Sequence, residues 1–258
     1  MILDFKAPFA DALSAWRRDR ALLLPLAGLT FLLPQLGVQL LLPGLPPLDP
    51  QAQGEAAMAA WRDAVVAWAG QHGGWFLLAP MIALFGALVV MALYLAPQRP
   101  TLGGALARAG ALYLRFLLAS ILVSLPMGML LAGAVSAPVL MLFAAAPIFY
   151  VYGRTMLMGP VIVAEAPVGA VEAVARSWRM TRGNGWIMAS LYAAIYLIPA
   201  LLGSLGLSIG ALGASDAGPN PVLLAVGAVV AGIFSSIGAL ALALVAVAAY
   251  RRLASKGT

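Results

Sequence analysis

The side chains of this sequence that could carry chemistry are few and lie close together: Arg154, Glu165, Glu172, Arg176, Trp178, Arg179 and Arg182. Guanidinium groups hold carboxylates or phosphates through paired N–H donors, so this set points to anion recognition. Glu172 and Arg176 stand at i, i+4 in the favourable order, acid before base. Val168, Val171, Ala175 and Trp178 recur at i, i+3, i+7 and i+10, which predicts a helix with one apolar stripe. Glu172, Arg176, Arg179 and Asn184 form its other face. Laid in a membrane interface, such a helix sets Arg176, Arg179 and Arg182 against lipid phosphates, each contributing about 1 kcal/mol beside an anionic surface. The same three arginines also read as an orientation signal alone.

Arg154 falls about nine residues, roughly 13 Å, inside one end of an apolar stretch. An arginine at that depth costs about 2.5–3.5 kcal/mol on insertion scales, so it needs a partner. Gly159-Pro160 can break the helix after it and bring Glu165 or Glu172 closer. Two readings follow: a buried ion pair pinning this span to the helix around Arg176, or a cationic socket for a lipid phosphate.

No catalytic set emerges. The nine acidic residues form no cluster within a span, there is no cysteine, and His72 is the single histidine. His72 reads as a solvated loop residue. A hydrolytic centre needs acid–base groups, and a metal-dependent one several carboxylates as well. No catalytic residue, metal or cofactor is expected, and the chain reads as a non-enzyme.

The elements that must position these residues follow from composition. Of 258 residues 63% are hydrophobic and 9% charged, with mean hydropathy +0.99, against about 25% charged in soluble domains. Lipid is the expected solvent. Six spans of about 20 or more apolar residues are predicted near 21–42, 75–96, 112–134, 138–163, 186–211 and 222–249. The fold class is therefore all-α, a polytopic membrane protein. The net charge of +6 sits in short basic runs beside the spans, which fits topology and not nucleic acid.

Of the fifteen Lys and Arg residues, all but Arg62 fall on one side. They are Lys6, Arg17, Arg18, Arg20, Arg99, Arg108, Arg115, Arg154, Arg176, Arg179, Arg182, Arg251, Arg252 and Lys256. Asp49, Glu55 and Asp63 accompany Arg62 on the other side, with Asp216 in a later turn. The positive-inside bias predicts that both termini are cytoplasmic. The length of the first span and the lack of a small-x-small cleavage site predict a retained helix and not a signal peptide.

Outside, Pro43, Pro46, Pro47 and Pro50 predict an extended entry to a short helix over Glu55 to Ala69. Its stripe of Met58, Trp61, Val65 and Trp68 is expected on the membrane surface, or as a lid or partner site. The second outer loop, near Ser136 to Pro138, and the third, Ala214 to Pro221, are short turns. Inside, segments from Pro8, Pro100 and Pro167 each suggest a short amphipathic cytoplasmic helix beginning at a proline, followed by two spans with an internal proline at Pro34, Pro126 or Pro199. That gives a single domain, 1–258, of three repeat units at 8–96, 100–163 and 167–249. Gly206 and Gly210, in a small-xxx-small pattern, predict close helix packing within the chain or at a dimer face.

The stretch Arg154-Thr155-Met156-Leu157-Met158-Gly159-Pro160-Val161-Ile162-Val163-Ala164-Glu165, then Ala173 to Trp186 with Ser177-Trp178-Arg179-Met180-Thr181, resembles a signature of bacterial polytopic membrane proteins. These include the membrane domain attached to some glycerophosphodiester phosphodiesterases. Met180 replaces the usual leucine. The resemblance covers about 33 residues and implies a membrane domain without the hydrolase, since only nine residues follow the sixth predicted span. The resemblance implies a bacterial inner membrane, and the expected function is a non-catalytic, lipid-interacting scaffold or accessory protein that binds anionic phospholipid headgroups at the cytoplasmic leaflet. Its partners would be phospholipids, with a membrane protein or second copy as a further partner. A transporter or channel for a small or lipidic substrate is the alternative.

Overall fold

A computed structural model describes residues 3–47, 54–96, 100–134, 138–212, 214–215 and 218–255. Asp49, Pro50, Arg99, Ser136, Asp216 and Lys256 lie outside the described residues. Among the described residues the regular structure is helical but for a two-residue antiparallel pair, Ala214–Ser215 with Gly218–Pro219. In order come α1 (Lys6–Ala27), a π-helical turn (Gly28–Leu32), α2 (Leu33–Leu41), α3 (Glu55–Leu95), α4 (Leu102–Ala134), α5 (Pro138–Thr155), α6 (Met158–Ala164), α7 (Ala170–Met180), α8 (Gly185–Leu212) and α9 (Pro221–Ala254). Six segments are long and apolar enough to cross a membrane: Lys6–Leu41, Glu55–Leu95, Leu102–Gly133, Phe143–Ala164, Gly185–Gly210 and Pro221–Ala254. The chain is a multi-pass membrane protein.

Prolines explain the interruptions. Pro34 cannot donate to the carbonyl of Thr30, and just before it the ladder widens so that Leu33 N–H donates to Gly28, the π-turn solution. A Cβ on Gly86 of α3 would lie 2.2 Å from Thr30 Oγ1, so only glycine lets α3 approach this turn. At the start of α9, Pro221 occupies the first turn and Asn220 Oδ1 accepts from Val222 and Leu223 N–H at 2.9 and 3.3 Å, a side-chain cap.

Three expectations change. The residues from Glu55 to Ala69 are not a separate surface helix; they begin the 41-residue α3. Trp61 and Trp68 donate their indole N–H groups to the carbonyls of Pro46 and Pro43, both at 3.1 Å, clamping the extended proline segment onto α3. His72 is helical and packs its ring 5.8 Å from that of Trp68. The three proline-led starts also differ from one another. Pro8 lies in the first turn of α1, which bends at the non-helical Asp19. Pro100 precedes α4, where Thr101 Oγ1 accepts from Gly104 N–H at 3.3 Å, and α4 runs without a break. Pro167 lies before the N-cap Gly169, and α7 is set off at both ends, whereas the helix led by Pro8 is parted from its span only by the kink at Asp19.

The buried side chains gather at the end of the bundle that holds both described chain ends, in segments 23–31, 88–92, 105–119, 156–163, 188–195 and 240–250, whereas α2 buries none. Basic residues close this end by satisfying helix C-terminal carbonyls, which have no partner of their own. Arg251 donates to the carbonyl of Tyr94 at the end of α3. Arg108 Nη2 donates to that of Val163 at the end of α6, 2.6 Å. Arg252 pairs with Asp11 at 2.6 Å, and Tyr94 donates to Asp19 at 2.7 Å. These arginines, expected only to orient the chain, also join α1, α3, α4, α6 and α9.

Candidate functional site around Arg154

The fourth span breaks where its sequence demands. Pro160 has no N–H for the carbonyl of Met156, and its ring would clash with that carbonyl in a continuous helix. The helix stops at Thr155, turns through Met156 and Leu157, and resumes as α6 at Met158. The break leaves backbone groups without ladder partners, and Ser177 of α7 supplies them. Its hydroxyl donates to the Arg154 carbonyl at 2.7 Å and accepts from Leu157 N–H at 3.2 Å.

Arg154 is buried, 8% exposed, and its side chain is held from three directions. Nε donates to Thr181 Oγ1 at 2.7 Å, Nη1 to the Tyr150 hydroxyl at 2.9 Å and Nη2 to the Trp178 carbonyl at 2.5 Å. Its Cζ stands 4.3 Å from the centre of the Trp178 ring, a cation–π contact of about 0.5–2 kcal/mol. Tyr150 in turn packs edge-on against Trp178 and tilted against Trp186, at 6.0 and 5.0 Å. Two glycines make room. A Cβ on Gly153 would lie 2.5 Å from the Ala189 backbone, and one on Gly185 would lie 2.8 Å from the Tyr150 hydroxyl.

The ion pair expected of Arg154 does not form. Glu165 instead accepts from Arg176 Nε at 3.2 Å and from the Tyr250 hydroxyl at 3.0 Å, while Glu172 is exposed on α7. Among the described residues no carboxylate lies within 4.0 Å of Arg154. A guanidinium has five N–H donors; three bond as above, so two remain. Arg154 does pin the fourth span to α7, through Thr181, Ser177 and the Trp178 carbonyl and ring.

α7 sits differently from the expected stripe. Its buried residues are Ala173 and Ser177, continued by Thr181 at i, i+4, i+8, and this face of small residues meets α4, α5 and α6. Val171, from the apolar stripe, is exposed, and Trp178 is part-exposed with one face of its ring over the Arg154 guanidinium. Asn184, assigned to the polar face, is buried beyond the helix end, its Oδ1 accepting from Leu3 N–H at 2.7 Å. Arg176, Arg179 and Arg182 are exposed; among the described residues the side chains of Arg179 and Arg182 carry no ion pair or hydrogen bond. Composition alone hid Ser177, Thr181, Tyr150 and Gly153. The i, i+4 spacing of Tyr150 with Arg154 and of Ser177 with Thr181 was the available signal.

Gly206 and Gly210 pack within the chain. A Cβ on Gly206 would lie 2.8 Å from Val230 Cγ1, and one on Gly227 of α9 would lie 2.5 Å from the Gly206 carbonyl. Gly210 faces Leu224, 3.2 Å from the position of its absent Cβ. Among the described residues no three His, Asp or Glu side chains come together. No family model, no curated protein and no solved structure matches this chain.

Proposed function

We propose that this chain is a non-catalytic scaffold or accessory protein of a bacterial inner membrane, with both termini cytoplasmic, that holds anionic phospholipid headgroups at the cytoplasmic leaflet. The observation that carries the reading is Arg154: a buried guanidinium with no carboxylate among the described residues within 4.0 Å and two N–H donors left over. A full charge in such surroundings calls for a compensating anion, and a phosphate oxygen is the one a membrane supplies at that depth. Beside it α7 is read as an amphipathic interfacial helix. Val171 enters the hydrocarbon, Trp178 lies at headgroup depth with one face on Arg154, and the Arg179 and Arg182 side chains stand free for phosphates.

The resemblance of Arg154 to Trp186 to the membrane domain of glycerophosphodiester phosphodiesterases agrees with this role, and we take the three proline-led units as a diverged repeat. The test is native mass spectrometry of the chain released from mild detergent. Arg154→Lys keeps the charge and loses the planar fork, and Arg179→Gln with Arg182→Gln alters only exposed groups. Both variants are expected to retain less phosphatidylglycerol and cardiolipin than the unaltered chain. Equal retention by all three would overturn the reading.

A further inference from the structure

A groove of about 440 Å³ runs along α8 and α9 and is closed on one side by Gln39 of α2. It extends from Tyr192 to Leu207 of α8, a length of about 22 Å at 1.5 Å per residue. That is well over half of the roughly 30 Å hydrocarbon thickness. Small residues, Gly203 and Gly238 among them, are part of its lining. No charged side chain lines it.

Its polar groups are unusual for a membrane span. The Gln39 Oε1 atom is buried and has no hydrogen-bond partner. Among the described residues the hydroxyls of Tyr192, Tyr196 and Ser235 also make no hydrogen bond. Other span serines return their hydroxyl to the preceding turn, as Ser120, Ser208 and the neighbouring Ser236 do, at 2.8, 2.9 and 2.7 Å. Tyr192 and Tyr196 hold their rings parallel, 6.1 Å apart, in a stack continued by Tyr152. Gln39 Oε1 is the buried one of the four, while Tyr196 and Ser235 are exposed along the open side of the groove. In hydrocarbon an unpaired polar group costs several kcal/mol whether it is buried or lipid-facing, so the set calls for a partner from outside the chain.

We infer that this groove binds a neutral, hydroxyl-bearing lipid, its chain along Gly203 and Gly238 and its polar group shared among Gln39, Ser235 and the two tyrosines. Three features choose this occupant. The lining mixes hydrogen-bond donors with acceptors, as a hydroxyl requires. It offers no cation for a phosphate. Its length and apolar walls suit a chain and would hold isolated waters poorly, since a buried water needs two to four polar partners around it. The groove is separate from the Arg154 site, and its lipid is neutral where that one is anionic.

Diacylglycerol is a suitable probe. It is added to the full chain in mild detergent and bound copies are counted by native mass spectrometry, beside the same lipid with its hydroxyl capped as a methyl ether. The expected result is one bound diacylglycerol, weakened about tenfold by Gln39→Leu with Ser235→Ala, the loss of about two neutral hydrogen bonds. The capped lipid is expected to bind as weakly to the unaltered chain. Tyr196→Phe removes one oxygen without changing shape and should give a smaller loss. Arg179→Gln with Arg182→Gln should leave this binding unchanged while lowering phosphatidylglycerol retention, which separates the two sites. Equal binding of the capped lipid, or unaltered binding to both groove variants, would overturn the inference.

Discussion

Arg154 and Gln39 are both polar side chains set into membrane-crossing helices, and the protein treats them in opposite ways. Around Arg154 a broken helix, a serine, a threonine, a backbone carbonyl and an indole ring converge. Around Gln39 nothing in the described chain offers the amide oxygen a hydrogen bond. The contrast teaches that partners built into the fold hold a polar group in place, and that what is left over, two N–H donors on Arg154 and the whole amide oxygen of Gln39, is what stays open to a ligand.

Substitutions can break this comparison or sharpen it. Arg154→Ala should have the largest effect, because it strands Thr181, Tyr150 and the Trp178 carbonyl together. A loss of at least about 3 kcal/mol is expected, at about 1.5–3 kcal/mol for each hydrogen bond to a charged group. Thermal unfolding in detergent would read it, and an unchanged midpoint would remove Arg154 from the structural side of the contrast. Gly153→Leu should come next, at roughly 1–3 kcal/mol for overpacking against the Ala189 backbone; normal folding yield and stability would show that α5 and α8 can separate there.

Ser177→Ala should destabilise by about 1–3 kcal/mol, since it exposes the bridged break at Arg154 and Leu157. Gln39→Leu should act with the opposite sign. Without added lipid it should raise stability by about 1 kcal/mol, as an unpaired buried acceptor is replaced by an apolar group of similar size. A fall in stability instead would place Gln39 beside Arg154 as a structural residue. The smallest effect should come from Asp11→Asn, which breaks the half-exposed pair with Arg252. It should cost about 0.2–1 kcal/mol and lose even that in high salt.

The helix α7 shows where reading residues in order succeeded and where it misled. Its existence and its exposed arginines were legible from the spacing of Val171, Trp178, Arg176 and Arg179. Its inward face was not, because hydrophobicity marks the buried side only when the surroundings are water. In lipid the large apolar residues can face outward while Ala173, Ser177 and Thr181 allow close packing, which is the rule for membrane helices. The same inversion explains Trp61 and Trp68. Their type and spacing suited a membrane surface, but the prolines at 43 and 46 offered carbonyls without helix partners, and the indoles satisfied those.

The sequence by itself determined the six apolar segments, the concentration of basic residues at their ends, and the place where the fourth segment must break. Each of these follows from the transfer cost of side chains or from the missing N–H of proline, and both are local properties. Which partner Arg154 takes was decided only in three dimensions. Glu165 stood eleven positions away and was a plausible counter-charge, yet the turn at Met156 and the approach allowed by Gly153 and Gly185 brought Thr181 and Trp178 to the guanidinium first. The choice between an ion pair and a set of neutral donors and acceptors depends on distances across the bundle, and those belong to packing and not to spacing along the chain.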